Sequence, residues 1–339
     1  MRGILHGFLI ALALAAAGTG AHAGEVTLRL HHFLPADSIE QTRVLEPWAR
    51  RVEEGSKGRI AIEILPEMTL GGMPADLFDQ AESGAVDLVL TMPAFTPGRF
   101  PVAEVFELPF MAASAEATSQ ALSALMEEKP DEGLEAVHPI LFHVHAPASL
   151  HMAPRQVQRL EEIQDVKIYT SNPHAATVLE SLGAVPVALE GAQMRDALAR
   201  HRVEGGALSL ALAKDLGVSE VPAHHTIVPG LYTSAFMLVM NRERYERLPD
   251  DLKAVIDANA GQDLAAEAGR VWDEAEVAAM RAVEDQGFHA LDYLELERWR
   301  AKAQPAINAW VEKIGQKRQD GDTLLGHARS LLASFAGRS

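Results

Sequence analysis

The chain has 339 residues, of which 48% are hydrophobic and 23% charged, and its formal net charge is −17. This balance is typical of a globular protein and excludes a largely disordered chain, while the length is sufficient for two domains. Binding to nucleic acid or to anionic lipid relies on clustered Lys and Arg, so a chain this acidic is not expected to bind either.

Residues 1–23 have the pattern of a secretory signal peptide. Arg2 provides a positive start, residues 8–17 form an apolar run, and Ala21-His22-Ala23 is a small-x-small cleavage site. The run is shorter than the ~20 residues that span a bilayer. Because the chain has no Cys, neither a lipid anchor on an N-terminal Cys nor a disulfide is expected. We expect cleavage after Ala23 and a mature protein that diffuses in the periplasm of a Gram-negative bacterium.

Strand and helix patterns alternate along the first half of the mature chain. Strands are predicted at 26–31, 60–64 and 86–90, with one helix beginning at Asp37 or Ser38 and a second at 73–83. The order β-α-β-α-β predicts a parallel sheet covered by helices. Four prolines between residues 91 and 110 predict a loop, and a helix at 114–129 and a strand at 140–144 follow it.

A second set of strands and helices follows a crossing at residues 145–147. Strands are predicted at 166–169, 185–188 and 226–228, and an apolar strand at 236–240 is expected to return to the first domain. Residues 250–286 contain no Pro, which predicts one helix of up to roughly 55 Å that runs across both domains. Pro305 is expected to break the C-terminal helical region.

These elements predict an α/β fold of two lobes with hinge crossings and a long helix that spans both lobes. Such a fold has a cleft in which a small ligand binds, with hinges expected at residues 146–147 and 234–235. The predicted first lobe comprises residues 24–146 and 235–274, the latter with the start of the long helix. The predicted second lobe comprises residues 147–234 and 275–339, the latter with the C-terminal helices.

Short motifs along the whole mature chain occur in the order found in a known family. They are His32-Phe-Leu-Pro-Ala-Asp-Ser38, Pro47-Trp-Ala, Gly58-Arg-Ile60, Pro66-x-Met-x-Leu-Gly-Gly72, Phe106-Glu-Leu-Pro-Phe110, Leu182-Gly-Ala-Val-Pro186, Val203-Glu-Gly205 and Leu248-Pro-Asp-Asp-Leu252. As a set they resemble the DctP family, the substrate-binding proteins of tripartite ATP-independent periplasmic (TRAP) transporters.

The resemblance implies a periplasmic receptor, not an enzyme, and no cofactor. Family members bind a small solute, commonly a carboxylate, between two α/β lobes and deliver it to a membrane permease with a small and a large subunit. No G-x-S-x-G, P-loop or G-x-G-x-x-G follows a predicted strand, so no enzyme motif competes with this interpretation. The alternatives are a binding protein used in sensing or chemoreception and an exported enzyme.

The sequence departs from the family at the residue that holds the ligand carboxylate. The family has an Arg at the end of a second-lobe strand, in a Lys-Ile-Arg pattern, and this chain has Lys167-Ile168-Tyr169. A guanidinium pairs with two carboxylate oxygens, whereas a phenol offers one donor, one acceptor and an aromatic face. The family's Val-Asp-Gly signature with polar residues likewise appears as Val203-Glu-Gly-Gly-Ala-Leu-Ser209.

Three interpretations of Tyr169 remain open. The solute is neutral or cationic, or another donor such as Arg99, His145, Ser149 or Thr170 holds a carboxylate, or the receptor has lost its transport role. Glu190 follows a predicted strand and opens a helix, where it either caps the helix or meets an amine with Tyr169 and Tyr232 as aromatic walls.

The cleft is expected at the strand ends of both lobes, because open α/β sheets bind ligands there. The candidate ligand-binding residues are Phe33, Met92, Phe95, Arg99, His145, Ser149, Tyr169, Glu190, Leu208 and Tyr232. His143 and His145 fall on one side of a predicted strand, but no spacing typical of zinc ligands occurs, so no metal site is predicted.

The interpretations predict different results for Tyr169→Arg. If carboxylate recognition has been lost, the new guanidinium adds hydrogen bonds worth roughly 1.5–3 kcal/mol each, and the affinity for small carboxylates rises about tenfold or more. The affinity for a cationic solute then falls through like-charge repulsion. Calorimetry on the wild type and the variant measures both. A wild type that binds a simple carboxylate and loses it on this change shows that another donor holds the carboxylate.

Overall fold

A computed structural model describes residues 25–170, 173–189, 193–217, 224–317 and 321–337. The predicted signal peptide and Glu190 lie outside these residues. Within the described ranges, no helix combines the length and the apolar composition that crossing a membrane requires.

The first lobe is built on a five-stranded sheet. Its strands are β1 (Val26–His32), β2 (Ile60–Leu65), β3 (Leu88–Thr91), β4 (Val137–Val144) and β10 (Ala235–Asn241), and their order is β2-β1-β3-β10-β4. Strand β1 is parallel to β2 and β3, whereas β10 is antiparallel to β3 and β4. Apolar residues alternate along β1, whose Leu28 and Leu30 are buried on one face of the sheet with Leu88 and Leu90 of β3. Strand β3 is apolar at Leu88, Val89 and Leu90, because both of its faces are covered.

The helices of the first lobe cover both faces of this sheet. They are a π-helical turn (Glu40–Leu45) that leads into α1 (Glu46–Gly55), α2 (Leu77–Glu82), α3 (Pro101–Glu104), α4 (Ala115–Glu128), α8 (Arg242–Glu246) and α9 (Asp250–Asp257). Short 3-10 turns lie at Pro74–Asp76, Pro93–Phe95, Val105–Glu107 and Glu132–Leu134.

The second lobe is built on a six-stranded sheet of order β11-β9-β5-β8-β6-β7. Its strands are β5 (Ser149–Met152), β6 (Lys167–Thr170), β7 (Val185–Ala188), β8 (Gly205–Leu208), β9 (His224–Ile227) and β11 (Gly287–Ala290). All run in one direction except β5, which is antiparallel to β8 and β9. The elements packed around it are a 3-10 turn (Leu160–Ile163), α5 (Pro173–Leu182), α6 (Met194–Ala199), α7 (Leu210–Asp215) and α11 (Tyr293–Lys317).

Two further helices connect the lobes. The first, α10 (Gln262–Ala282), packs on α4 of the first lobe and on α7 of the second. The second, α12 (Gly321–Ala336), packs on α4, although the predicted division assigns this segment to the second lobe. The lobe boundaries stay a prediction, while the two-lobed α/β fold with a helix that spans both lobes is confirmed.

Two predictions about the C-terminal helices are wrong. Residues 250–286 form two helices, because the chain turns before Gly261, whose φ is +79° and whose N–H donates to the Ile140 carbonyl at 2.9 Å. Pro305 lies inside α11 and does not break it. The proline is on the exposed face, where water can reach the carbonyl that loses its partner, and Trp299 and Ile307 keep the opposite face buried.

Carboxylates on α10 hold the first turns of two helices. Asp273 accepts the N–H groups of Ala115 and Glu116 at 2.7 and 2.9 Å, at the start of α4. One helical turn further on, Glu276 accepts the N–H groups of Leu210 and Ala211 at 3.1 and 2.8 Å, at the start of α7. The first residues of a helix have free N–H groups, so these carboxylates fix a helix of each lobe to α10.

Gly269→Ala is expected to destabilise the protein, because α10 and α4 touch at this glycine. A Cβ at position 269 would lie 2.5 Å from the Ala115 carbonyl oxygen and from the Glu116 Cα, which are backbone atoms that cannot move aside cheaply. We expect a loss of about 1–3 kcal/mol in the free energy of unfolding, measured by urea denaturation.

Gly326→Ala is the matched control, since this exposed glycine lies within α12 and an added Cβ meets no atom within 4 Å. It should leave the stability unchanged or raise it by up to about 1 kcal/mol. Equal stability of the two variants would contradict the close α10–α4 contact.

Candidate functional site

The carboxyl ends of the strands in the two sheets face one another. The segment that follows β3 (Pro93–Phe95) contacts α5, the helix that follows β6. The backbone N–H of Ala148 donates to the Tyr232 carbonyl at 2.8 Å, so the crossing from β4 to β5 and the crossing from β9 to β10 run side by side. The space between these strand ends is the candidate cleft.

Aromatic side chains cluster at the strand ends of the first lobe around Phe236. The Phe33 ring lies edge-on to Phe95, with 5.0 Å between centroids, and stacks on Phe236 at 6.4 Å. Phe236 also stacks on Trp272 of α10 at 6.3 Å, and the His145 ring lies 6.2 Å from Phe236. Three of the predicted residues, Phe33, Phe95 and His145, therefore come together, and we call this group, with Phe236 and Trp272, the aromatic cluster.

A buried glutamate supports the aromatic cluster from below. Glu40 is fully buried, and its carboxylate accepts hydrogen bonds from His143 Nε2 and Trp272 Nε1, both at 3.1 Å. His143 also stacks on Phe236, with 5.0 Å between centroids. The sequence pattern does not reveal Glu40, Trp272 or Phe236 as neighbours of the cleft, because their partners are distant in the chain.

His145 is held in one tautomer. Its Nδ1 lies 2.6 Å from the carbonyl oxygen of Ala146, which can only accept, so Nδ1 carries the hydrogen. Thr233 donates its hydroxyl to the His145 carbonyl at 2.6 Å. Burial is the largest cause that lowers the pKa of His145 to about 4, so the imidazole is neutral at neutral pH.

Tyr169 and Leu208 meet at the strand ends of the second lobe. Tyr169 of β6 pairs with Gly206 of β8. The side chains of Tyr169 and Leu208 are buried in one cluster with Met194. A Cβ at position 206 would lie 2.4 Å from the Met194 methyl carbon and 2.8 Å from a Leu208 methyl carbon. The glycine therefore leaves room for these side chains around Tyr169.

The remaining predicted residues lie in different surroundings. Ser149 is buried in β5 and pairs with Leu208, and Met92 is buried under the aromatic cluster. Tyr232 lies in the core of the second lobe, where its hydroxyl donates to the Ala207 carbonyl. Arg99 is paired with Asp79 and Glu82 at 2.7 and 2.9 Å and lies over the Phe78 ring, so it is not part of the aromatic cluster.

Two polar contacts cross from one lobe to the other. His174, in the first turn of α5, binds the buried carboxylate of Glu107 through Nδ1, and its Nε2 lies 3.8 Å from Glu104. Asp215, at the end of α7, accepts the N–H of Ile39 at 2.8 Å. Sequence patterns give no signal for either contact, since each joins residues of different lobes. Both contacts join the two lobes, so movement of the lobes apart would break them.

Both groups have a raised pKa in this closed form. Burial alone lowers the pKa of His174, but Glu107 and Glu104 outweigh burial and Lys313, and the pKa lies above 6.5. The pKa of Asp215 is raised to about 6, and burial is the largest cause. The charges of Asp37 and Glu40 raise it further, whereas the Ile39 N–H and Lys214 lower it. The closed form therefore takes up protons at both contacts.

Within the described ranges, no three His, Asp or Glu side chains are grouped so that they could hold a metal ion. The prediction that the site has no metal remains a prediction of the sequence.

Two α/β lobes that close over a cleft at their strand ends define the class of two-lobed solute receptors. The chain matches the model of the family DctP, described as bacterial extracellular solute-binding protein, family 7, over residues 30–313. It therefore belongs to this family, as its motifs predicted, and it is a solute-binding receptor of a TRAP transporter and not an enzyme.

Solved structures of similar proteins agree with this assignment. One is a TRAP solute-binding protein from Rhodoferax ferrireducens in complex with copurified benzoate, with a TM-score of 0.87 and 34% identity over 92% of this chain and 99% of that one. Another is a marine metagenome TRAP solute-binding protein specific for aromatic acid ligands, in complex with 3-hydroxybenzoate, with a TM-score of 0.88 and 34% identity over 92% and 99%. The ectoine-binding periplasmic protein TeaA of Halomonas elongata is 22% identical over 79% of this chain and 80% of its own.

Lobe closure is expected to weaken as the pH rises. The contribution of His174 is complete below pH 6.5 and is lost as the pH rises through its raised pKa, while the ionisation of Asp215 disfavours closure increasingly between its ordinary pKa of 3.8 and about 6. Small-angle scattering should show a radius of gyration that grows with pH. His174→Gln should flatten the growth above pH 6.5, and Asp215→Asn the growth below pH 6.

His327→Gln is the matched control. His327 of α12 binds Glu128 of α4 at 2.6 Å, and α12 packs on the first lobe, so this contact does not join the two lobes. This variant should keep the wild-type pH dependence. A radius of gyration that does not change with pH in the wild type would contradict the proton-linked contacts.

Proposed function

We propose that the solute is a small aromatic carboxylic acid, which the receptor delivers to the small and large membrane subunits of a TRAP permease. The observation that carries this proposal is the likeness, at 34% identity over nearly the whole chain, to receptors described with benzoate and 3-hydroxybenzoate. The family is periplasmic, and cleavage after Ala23 is the export step that the sequence predicts.

The aromatic cluster supports an aromatic solute. Phe33 and Phe95 are only partly buried, so their rings can offer a face or an edge to a bound ring. Stacked and edge-to-face pairs of rings are worth about 0.5–1.5 kcal/mol beyond the area that they bury. The buried rings of Phe236 and Trp272 hold Phe33 in place from behind.

The carboxylate is bound without an arginine at position 169. Of the alternative donors that the sequence suggests, Ser149 and Thr170 lie at the strand ends of the second lobe, and Arg99 lies outside the aromatic cluster, where it pairs with Asp79 and Glu82. We assign the carboxylate to these two hydroxyl groups and to the first turn of α5, whose dipole favours an anion. Of the two outcomes for Tyr169→Arg, the proposal expects the loss of carboxylate binding.

A thermal-shift screen followed by calorimetry tests the proposal. Benzoate should raise the melting temperature by several degrees at saturation, because a ligand that binds only the folded state stabilises it by about 2.7 kcal/mol at a hundred times Kd. Cyclohexanecarboxylate keeps the charge but not the aromatic ring, and benzylamine and benzyl alcohol keep the ring but not the carboxylate, so all three should bind more weakly. Preference for benzylamine or benzyl alcohol would favour the neutral or cationic solute instead.

Phe33→Ala tests the aromatic cluster directly. The variant should weaken benzoate binding about tenfold while cyclohexanecarboxylate binding changes less, because the lost energy is that of a ring pair. Phe288→Ala, on a partly buried Phe of β11 that stacks on His225, is the control and should bind benzoate as the wild type does. Equal effects of the two variants would contradict a role of Phe33 in the cleft.

A further inference from the structure

One nitrogen in the aromatic cluster has no hydrogen-bond partner among the residues that the structure describes. The Nδ1–H of His145 is committed to the Ala146 carbonyl, and no described residue donates a hydrogen bond to Nε2. The side chain is 1% exposed and its ring lies 6.0 Å from Trp272 and 6.2 Å from Phe236. Since the imidazole is neutral at neutral pH, Nε2 is a hydrogen-bond acceptor that cannot act as a donor.

A second unpartnered nitrogen lies two residues earlier in the chain, within β4. His143 Nε2 is bonded to Glu40, and within the described part of the chain its buried Nδ1 has no hydrogen-bond partner. Both histidine rings contact Phe236. A buried polar atom without a partner costs about 1–3 kcal/mol, and among the described residues His143 Nδ1 is such an atom. Together with the free acceptor of His145 beside it, this atom supports a bound molecule that completes the hydrogen bonding at the aromatic cluster.

We propose that the receptor selects an aromatic acid whose ring carries a hydroxyl group, and that His145 determines this specificity by accepting the hydroxyl hydrogen at Nε2. This inference rests on the proposed function and names the substrate more closely. With the carboxylate at the strand ends of the second lobe and the ring against Phe33, the opposite side of the ring faces the first lobe, where His145 lies. Amino substituents share this donor chemistry, and the ligand series below includes one.

The arrangement fixes His145 for this role through its neighbours. The Ala146 carbonyl sets the tautomer, and the Thr233 hydroxyl holds the His145 backbone across the two crossing segments. If the ring could turn over, its Nδ1–H could donate a hydrogen bond to the ligand. It would then bind an ether oxygen or a halogen as readily as a hydroxyl group. Held as it is, the ring distinguishes a donor from an acceptor of similar size.

A series of ligands tests the inference on the wild-type protein. Calorimetry at pH 7.5 compares benzoate, 3-fluorobenzoate, 3-methoxybenzoate, 3-aminobenzoate and 3-hydroxybenzoate. The hydroxyl compound should bind about 3–10-fold more tightly than the fluoro and methoxy compounds, which is the range of one net hydrogen bond between neutral groups. The amino compound should lie between them.

Variants of His145 assign the preference to this residue. His145→Leu should abolish the preference for the hydroxyl compound over the fluoro and methoxy compounds, measured as a ratio of affinities within the variant. His145→Asn, which keeps an acceptor, should restore part of this preference. His138→Leu, at the far end of β4 where the ring stacks on Tyr245, is the matched control and should retain the wild-type preference.

The outcomes separate this inference from the proposed function. Binding of all five acids with equal affinity would overturn the role of His145 and leave the aromatic-acid receptor standing. A hydroxyl preference that persists in His145→Leu would place the acceptor elsewhere and overturn it as well. Binding of none of the acids would overturn both proposals, whatever the behaviour of the variants.

Discussion

The structure depends on the pair of carboxylates that α10 places one turn apart. Asp273 and Glu276 each satisfy two free N–H groups at the start of a helix, one in each lobe. Burial raises the pKa of both groups, and the N–H groups that they accept oppose this rise. Because each carboxylate is directed at a helix start, hydrogen bonds and electrostatics at α10 position the lobes, in addition to the buried apolar side chains of both lobes that pack in one cluster with Trp272.

Buried carboxylates with hydrogen-bond partners also lie around the cleft. Three glutamates near the cleft are at least 98% buried, and each accepts hydrogen bonds. Glu40 accepts from His143 and Trp272, Glu104 from the Gly98 N–H, and Glu107 from His174 and the Ala235 N–H. Buried carboxylates are tolerated only when they are paired in this way. One of these partners, His174, reaches across from the other lobe, so opening the cleft removes it. Opening the cleft therefore costs free energy, because the carboxylate of Glu107 would lose this partner.

Much of the fold could be predicted from the sequence, because alternation and helical spacing are local signals. The strands of the first lobe and the crossing after β4 followed from such patterns, whereas the short strands β5, β8 and β11 carried too little periodicity to be recognised. The break at Gly261 was missed because a single glycine does not stop a helix unless tertiary contacts favour the turn, as the Trp48 indole does here by donating to the Asn259 carbonyl at 2.9 Å. At the site, Phe33, Phe95 and His145 could be placed at strand ends, but Glu40, Phe236 and Trp272 could not, since only the folded chain brings them together.

The position of α12 on α4 has a mechanical consequence. The chain passes between the lobes before β5, again before β10 and a third time along α10, and α12 packs on α4 of the first lobe. Two bodies joined by a single strand can twist, bend and slide, and each added connection restricts these motions. Several connections of this kind restrict the relative motion of the two lobes and favour a hinge rotation that opens and closes the cleft.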